Sequence, residues 1–402
     1  MKTKKKNARL IYLLVVFILL VSLISPIGTF CADNNTLAFI DKIDTSVQDE
    51  LKEIDFKELD QLITEFNLNN TNIFSITNVK EKTYEILSGQ SAINYSTLAG
   101  SLFSSIIKKI VSYLPILSII IAIGIVSNLL NGIKSKFNEK STGDLIHIVC
   151  FMAVAILIIG MVTSLSATTG KTIGLIVDMM NKLCPIILTL MIGLGANVSA
   201  STFQPIIAIM STYIADIFNY FIMPLFTINF VFGLMSNLSN SIKLEKFKGF
   251  IYGLFKWSVG FVFTLFFAVI TLQGISAGSF DSIGIRTTKF TIKSYVPIMG
   301  GYLSDGMDLI MSSTLLIKNS LGLVGSLIII MAILSPILDI AIFSLMLKLA
   351  SAILEPLGDN KTSNFLSSTS KSVTMLSTCL LAIGFMYILM MGLVMTTANV
   401  VI

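Results

Sequence analysis

The charged side chains between positions 285 and 308 are the most distinctive chemical pattern in this chain. Arg286, Lys289 and Lys293 recur at three and four residues, so a helix would place them on one face. Asp305 and Asp308 follow at a spacing of three and would share one face of the next helix. Two interpretations are open. The basic and acidic halves could pair within a re-entrant hairpin, or the basic stripe could reach toward lipid phosphates.

Two further carboxylates, Asp216 and Asp339, lie within or beside long apolar runs. A charge in the middle of a membrane costs at least about 2.5 kcal/mol when nothing compensates it, so both side chains must face protein or water. One interpretation is a polar pathway or ion-coupling site. The other is charge pairing that fixes the register of neighbouring helices.

The remaining residue types do not indicate an enzyme. The chain has a single histidine, His147, and contains neither an HExxH nor a GxxxxGK[ST] motif. Its cysteines are widely spaced and form no CxxC pair, which is typical of small buried apolar residues. We therefore expect no catalytic site, no metal site, no cofactor and no nucleic-acid partner.

The elements that carry these charges are predicted to be membrane-spanning helices. Hydrophobic residues make up 54% of the chain and charged residues 13%, with a mean hydropathy of +0.85. Soluble domains carry about 25% charged residues. The apolar residues come in long runs and not in short alternating strands, which excludes an outer-membrane barrel. The predicted fold is an all-α polytopic membrane protein.

Three parts are predicted along the chain. Residues 1–32 combine a basic start, an apolar run and small residues, the layout of a cleavable signal peptide. Residues 33–107 are mostly acidic with apolar residues at helical spacing, which predicts a small helical extracytoplasmic domain whose apolar face packs on a neighbour or on itself. Residues 108–402 are predicted to form a multi-span helical membrane domain.

The number of spans depends on residues 183–242, where Asp216 is the only charged residue. We expect one break near residues 193–197 and a second at Pro224. If residues 203–238 cross the membrane twice, the chain has eight spans; a single crossing gives seven. Cytoplasmic loops retain an excess of lysine and arginine, and this rule favours eight spans with both termini outside. The clearer spans are residues 111–130, 145–165, 250–272, 321–347 and 373–396.

Several segments resemble the stage III sporulation protein AE family. The most specific are RTTKF at 286–290, VPIMGGYLSDGMD at 296–308 and LLIKNSLG at 315–322, and DFKELDQLI at 55–63 adds weaker support. The resemblance implies a mother-cell membrane protein of endospore-forming bacteria. It also implies membership of a channel complex that joins mother cell and forespore after engulfment, with no assigned catalytic residue. The implied partners are other proteins of that complex, including ring-forming ectodomain proteins and a partner ATPase, together with membrane lipids.

Two classes of function are therefore compared. One is a membrane component of a feeding tube or secretion-like channel, and the other is a free-standing secondary transporter. Transporters often contain internal repeats with broken helices at matching positions. Pro224 and Pro336 interrupt apolar runs here, but the flanking sequences show no convincing internal similarity. This favours the channel component, and an assembly scaffold without a conducting path is a close variant of it.

Overall fold

The computed structural model describes most of the chain after residue 46. The described residues are 47, 49, 51–52, 54–69, 78–87, 95–134, 140–238, 244–295 and 300–397. The predicted signal peptide at 1–32 lies outside this part. Residues 46–402 belong to one compact unit.

The described residues form helices joined by short connections. These helices are α1 (Lys57–Asn69), α2 (Val79–Leu87), α3 (Tyr95–Lys134), α4 (Lys140–Gly193), α5 (Asn197–Ile217), α6 (Met223–Leu238), α7 (Glu245–Tyr295), α8 (Gly300–Leu354) and α9 (Asn360–Thr396). A π-helical turn, Phe218–Ile222, joins α5 to α6 without a break.

Within this part of the chain, six helical segments are long and apolar enough to cross a membrane. They are Gly100–Leu130, Ile148–Gly193, Asn197–Leu238, Glu245–Leu272, Gly306–Leu354 and Asn360–Thr396. Three of them have 46, 42 and 49 residues. At a rise of about 1.5 Å per residue each is about 60 to 75 Å long, roughly twice a hydrocarbon core. Each of these three helices therefore extends beyond the hydrocarbon.

The prediction that residues 203–238 cross twice is wrong. Pro224 cannot donate a backbone hydrogen bond and its ring crowds the preceding turn, which predicted a chain reversal. The π-helical turn directly before Pro224 absorbs this mismatch, so the helix continues. A single crossing by residues 203–238 leaves seven spans. The described residues show six segments because residues 183–193 continue the helix Ile148–Gly193 and do not form a separate span.

The predicted break near residues 193–197 is confirmed. Helix α4 ends at Gly193, and Gly195 adopts a φ of +79°, a left-handed conformation that glycine accepts without strain. Leu194 and Ala196 on either side are buried. The α4–α5 connection is thus a tight turn whose apolar side chains lie inside the protein.

Contacts with α8 show how the other helices are aligned. Lys109 of α3 forms an ion pair with Asp339 of α8, and further along both helices Gly124 packs closely against Leu354. Because both helices advance in the same direction between these two contacts, α3 runs parallel to the second half of α8. Ser344 bonds Ser370 and Ser351 bonds Ser363, so α9 runs antiparallel to the same half. We call the part of the bundle level with residues 330–354 the basal half, and the remainder the distal half.

The two halves differ in what they expose. Large apolar side chains cover much of the outside of the basal half, where Phe103, Ile156 and Trp257 are each about two-thirds exposed. In the distal half, the outer face of α5 is mixed and includes exposed polar residues such as Ser201 and Thr202. An exposed belt of large apolar side chains is the surface that lipid covers. The basal half is therefore the membrane-embedded part.

Helices α1 and α2 pack on the bundle. Helix α1 contacts α4, where Lys182 Nζ lies 3.5 Å from the carbonyl oxygen of Glu58, and α2 contacts α8. The apolar side chains Leu59, Ile63 and Val79 are buried. The apolar face that the sequence indicated is therefore a packing surface in this structure.

Candidate functional site

Asp339 forms an ion pair inside the basal half. Its Oδ1 lies 2.6 Å from Lys109 Nζ, which also donates to Ser335 Oγ at 3.2 Å. The side chains of Lys109 and Asp339 are 14% and 25% exposed. Of the two interpretations of Asp339, charge pairing that fixes helix register is the one this geometry matches.

Asp216 is placed differently. It lies one residue before the end of α5 and its side chain is exposed. The structure therefore does not bring Asp216 together with Asp339. A polar pathway through both carboxylates has no support in this arrangement.

The basic stripe and the following carboxylates lie on two successive helices. Arg286, Lys289 and Lys293 belong to the last turns of α7, and Asp305 and Asp308 belong to the first turns of α8. Helices α7 and α8 contact each other. Apart from half-buried Asp308, the side chains of these residues lie outside the described part. Pairing between the stripe and the carboxylates therefore stays a prediction.

Sequence analysis missed Asp281, which is buried on α7. Its Oδ1 accepts a hydrogen bond from the backbone nitrogen of Val198, and its Oδ2 accepts one from Ser199, both at 2.9 Å. These nitrogens belong to the first turn of α5, where backbone N–H groups have no partner within the helix. Asp281 therefore caps α5 from a helix that lies more than 80 residues further along the chain.

A second missed residue is Lys318, whose side chain is fully buried in α8. Its Nζ donates to the carbonyl oxygen of Thr397 at 2.5 Å. Thr397 is the C-terminal capping residue of α9. The carboxylate of Asp281 thus lies at the N-terminus of α5, and the ammonium of Lys318 lies at the C-terminus of α9. Each charge is stabilised there by the dipole of that helix.

The contacts of Asp281 and Lys318 are therefore structural in their chemistry. Asp281 of α7 holds the start of α5, and Lys318 of α8 holds the end of α9. The methyl carbon of Thr314 on α8 lies 3.9 Å from the position of a Cβ on Gly193, so α8 also contacts the end of α4. Among the described residues, no group of three or more His, Cys, Asp or Glu side chains could hold a metal ion.

A third polar group follows the contact between α8 and α9. Ser344 and Ser370 lie 2.8 Å apart through their hydroxyl oxygens, and each donates to the other's carbonyl oxygen. Ser351 and Ser363 repeat this arrangement two turns away. Small hydroxyl residues let helices approach closely in a membrane and bond across the contact. The serine-rich start of α9 is the sequence feature that could have indicated this contact.

These features define a class of protein. The described residues combine six long apolar helical segments, an apolar belt and polar groups turned inward, and these are the features of a polytopic helical membrane protein. Within that class, the chain belongs to the stage III sporulation protein AE family, whose model matches residues 77–398. The stage III sporulation protein AE of Bacillus subtilis (strain 168) is 24% identical over 320 residues, which are 80% of each chain. No solved structure matches. The family implies a role in sporulation.

Proposed function

We propose that this protein is a membrane component of the channel that joins mother cell and forespore and that endospore development requires after engulfment. The observation that carries this proposal is the family match over residues 77–398. The six apolar helices agree with a multi-pass component of such a channel. Its location in this proposal is the mother-cell membrane that surrounds the forespore.

The polar groups inside the basal half favour a channel component over a free-standing transporter. Asn229 on α6 donates to the carbonyl oxygen of Lys248 and accepts from Ser372, so these buried polar groups satisfy one another. The serine pairs between α8 and α9 do the same. A transporter would keep polar groups near the midplane available to its substrate. In our proposal the conducting path lies between this chain and other subunits.

In this proposal, partner proteins supply the energy source and the ring-forming ectodomains. The sequence has no phosphate-binding GxxxxGK[ST] motif, so energy in this proposal comes from a partner ATPase or an ion gradient. The other proposed partners are ring-forming proteins whose ectodomains meet this chain in the intermembrane space. Helices α1 and α2 lie on the proposed outer side and offer the first surface for such contacts.

The first test is developmental. We expect an endospore-forming strain that lacks this protein to complete engulfment and then stop, so that heat-resistant spores fall by several orders of magnitude. Expression of the chain from a mother-cell promoter should restore spores, and expression from a forespore promoter should not. Normal spore counts in the deletion strain, or restoration only from the forespore, would contradict the proposal.

The proposal also fixes sidedness. With residue 100 outside and six crossings, the lysine-containing segments 131–147 and 239–248 are cytoplasmic. The eight-span prediction placed these segments on the same side. Removing two consecutive crossings leaves every later segment on the side where it was.

Cysteine labelling tests this sidedness. An Asn197→Cys variant, at the exposed start of α5, should react with an impermeant thiol reagent added outside intact protoplasts of vegetative cells that express the chain, because its outer side then faces the medium. A Ser241→Cys variant, in the connection between α6 and α7, should react only after the cells are opened. Labelling of Ser241→Cys from outside would reverse the assignment and restore the seven-span model.

A further inference from the structure

Helix α9 carries an exposed polar stripe. Asn360, Asn364, Lys371, Thr374 and Thr378 are all exposed. They recur at intervals of four, seven, three and four residues, which is the spacing of a single helix face. The opposite face of α9 is buried against α8, α6 and α4. The stripe therefore forms part of the outer surface of the bundle.

This stripe lies at the depth of the lipid-facing belt. Lys371 follows Ser370, which bonds Ser344 of α8. The Lys109–Asp339 pair sets α3 and α8 in a parallel register, and the same register places Ser344 level with Leu114. Leu114 is 44% exposed and lies near the middle of the Gly100–Leu130 segment. The polar stripe and an apolar surface thus occupy the same level on different sides of the bundle.

A second lysine adjoins the stripe on α8. Ser344 and Ser351 face α9, and Lys348 lies between them in sequence on the exposed side of α8. On the other side of α8, Phe343 packs against Tyr113 of α3, with ring centroids 5.6 Å apart. Lys348 therefore lies on the edge of α8 that borders the exposed side of α9.

A third lysine adjoins the stripe on α7. Lys248 bonds Ser368, and the ring of Phe263 stacks on that of Phe385 with centroids 5.8 Å apart, so α7 runs parallel beside α9. Lys256 lies between these two contacts, is exposed, and has its Nζ over the ring of Tyr252 at 4.4 Å. We call the surface of Lys256, Lys348, Lys371, Asn364, Thr374 and Thr378 the lysine face.

The edge of the lysine face on α7 is open. A Cβ added at Gly249, Gly253 or Gly260 would meet nothing within 4 Å. The charged groups that adjoin the face are Lys248 and Glu245 at its cytoplasmic end. The face is therefore a shallow, cationic surface flanked by glycines.

This surface carries three lysines, Lys256, Lys348 and Lys371, whereas the lipid-facing side of α3 exposes Lys108 among large apolar residues. A lysine near the centre of a membrane, the level of Lys371, is costly, and snorkelling recovers only part of that cost near a boundary. A dry two-fold contact with a second copy would place lysines opposite lysines, which like-charge repulsion disfavours. The hydroxyl groups of Thr374 and Thr378 donate to carbonyl oxygens of their own helix. Water would solvate the ammonium groups of Lys256 and Lys371 and the amide of Asn364.

We propose that the lysine face lines a water-filled path in the assembled channel and attracts anionic solutes. This inference rests on the proposed channel function and names the surface of the chain that faces the path. A ring of copies or partner subunits that turned this face inward would leave the apolar sides of α3 and α4 against lipid. Positive charge in a low-dielectric passage raises the local concentration of anions.

Cysteine reactivity measures both water access and charge. In a chain with Cys31, Cys150, Cys184 and Cys379 replaced by alanine, Thr374→Cys and Thr378→Cys would be compared with Leu114→Cys at the same depth. Open membrane fragments from sporulating cells keep the complete complex and expose both membrane sides. Anionic and cationic methanethiosulfonate reagents of similar size would be applied in turn.

We expect both threonine positions to react, the anionic reagent several-fold faster than the cationic one, and Leu114→Cys to stay unmodified. Adding Lys371→Gln should bring the ratio of the two rates toward one. A reaction with no anionic preference would overturn the proposal, and so would absence of reaction at positions that label after denaturation. Protection in the complete complex but reactivity in the chain expressed alone would assign the face to a protein partner instead. None of these outcomes depends on the spore counts of the deletion strain, so the two proposals fail separately.

Discussion

Replacing Asp339 by alanine is expected to lower the midpoint of thermal unfolding in detergent by several degrees. The substitution leaves the ammonium of Lys109 without its carboxylate partner at 2.6 Å, in a largely buried position of the basal half. Breaking a buried ion pair by removing one partner is strongly destabilising. Because a lysine can snorkel, we expect the smaller cost of about 2 to 3 kcal/mol that a charge meets inside a membrane.

Exchanging the two charges distinguishes a structural ion pair from a functional role of the Asp339 carboxylate itself. The double variant Lys109→Asp with Asp339→Lys should regain most of the lost stability and most of the spore yield. Lys108→Ala, which removes an exposed neighbouring cation, should unfold close to the wild-type midpoint. If Asp339→Ala unfolded like the wild type but abolished sporulation, and the swap gave no rescue, Asp339 would be part of a polar pathway.

The second large effect is expected at Asp281. An Asp281→Ala variant leaves the backbone nitrogens of Val198 and Ser199 without the carboxylate that both bond at 2.9 Å. Losing a helix cap costs about 0.5 to 2 kcal/mol, and leaving buried donors unsatisfied raises this to about 1 to 3 kcal/mol. Proteolysis at the α4–α5 turn should become faster in the variant, because the cap holds that turn against α7.

Asp216→Ala is the matched control for Asp281. Asp216 is an exposed carboxylate on the same helix that Asp281 caps, so its removal should change neither the unfolding midpoint nor the cleavage rate. Asp281→Asn should be intermediate, since its amide oxygen can accept one of the two hydrogen bonds. Equal stability of Asp281→Ala and the wild type would mean that the cap does not hold the distal half.

The sequence predicted those features that depend on local pattern. Hydropathy and composition gave the helical membrane class, and the glycines near residue 195 gave the break between α4 and α5. The apolar residues Leu59 and Ile63 of the acidic segment are buried, as their helical spacing indicated. Each of these follows from residues that lie within a few turns of one another.

Other features depend on contacts that sequence spacing does not reveal. Asp281 caps a helix that begins more than 80 residues earlier, and Lys318 bonds Thr397 a similar distance away. Nothing near either residue in the sequence indicates its partner. The reversal expected at Pro224 was wrong because a proline that breaks a helix and one that follows a π-helical turn look alike in sequence. The spacing of polar residues in the sequence is enough to predict the polar stripe of α9. Its depth in the membrane follows only from the alignment of α8 with α3 and α9 in the structure.

Solute flux through vesicles tests most directly whether this chain works as a channel component. The purified chain alone would be placed in lipid vesicles loaded with anionic, cationic and neutral solutes, and efflux would be followed with and without a pH or sodium gradient. Vesicles with a pore-forming peptide would show that each solute can be detected. We expect efflux no faster than from empty vesicles, because in the proposed channel the path forms only with the other subunits. Saturable, gradient-driven flux by this chain alone would contradict the channel proposal and identify the protein as a free-standing transporter.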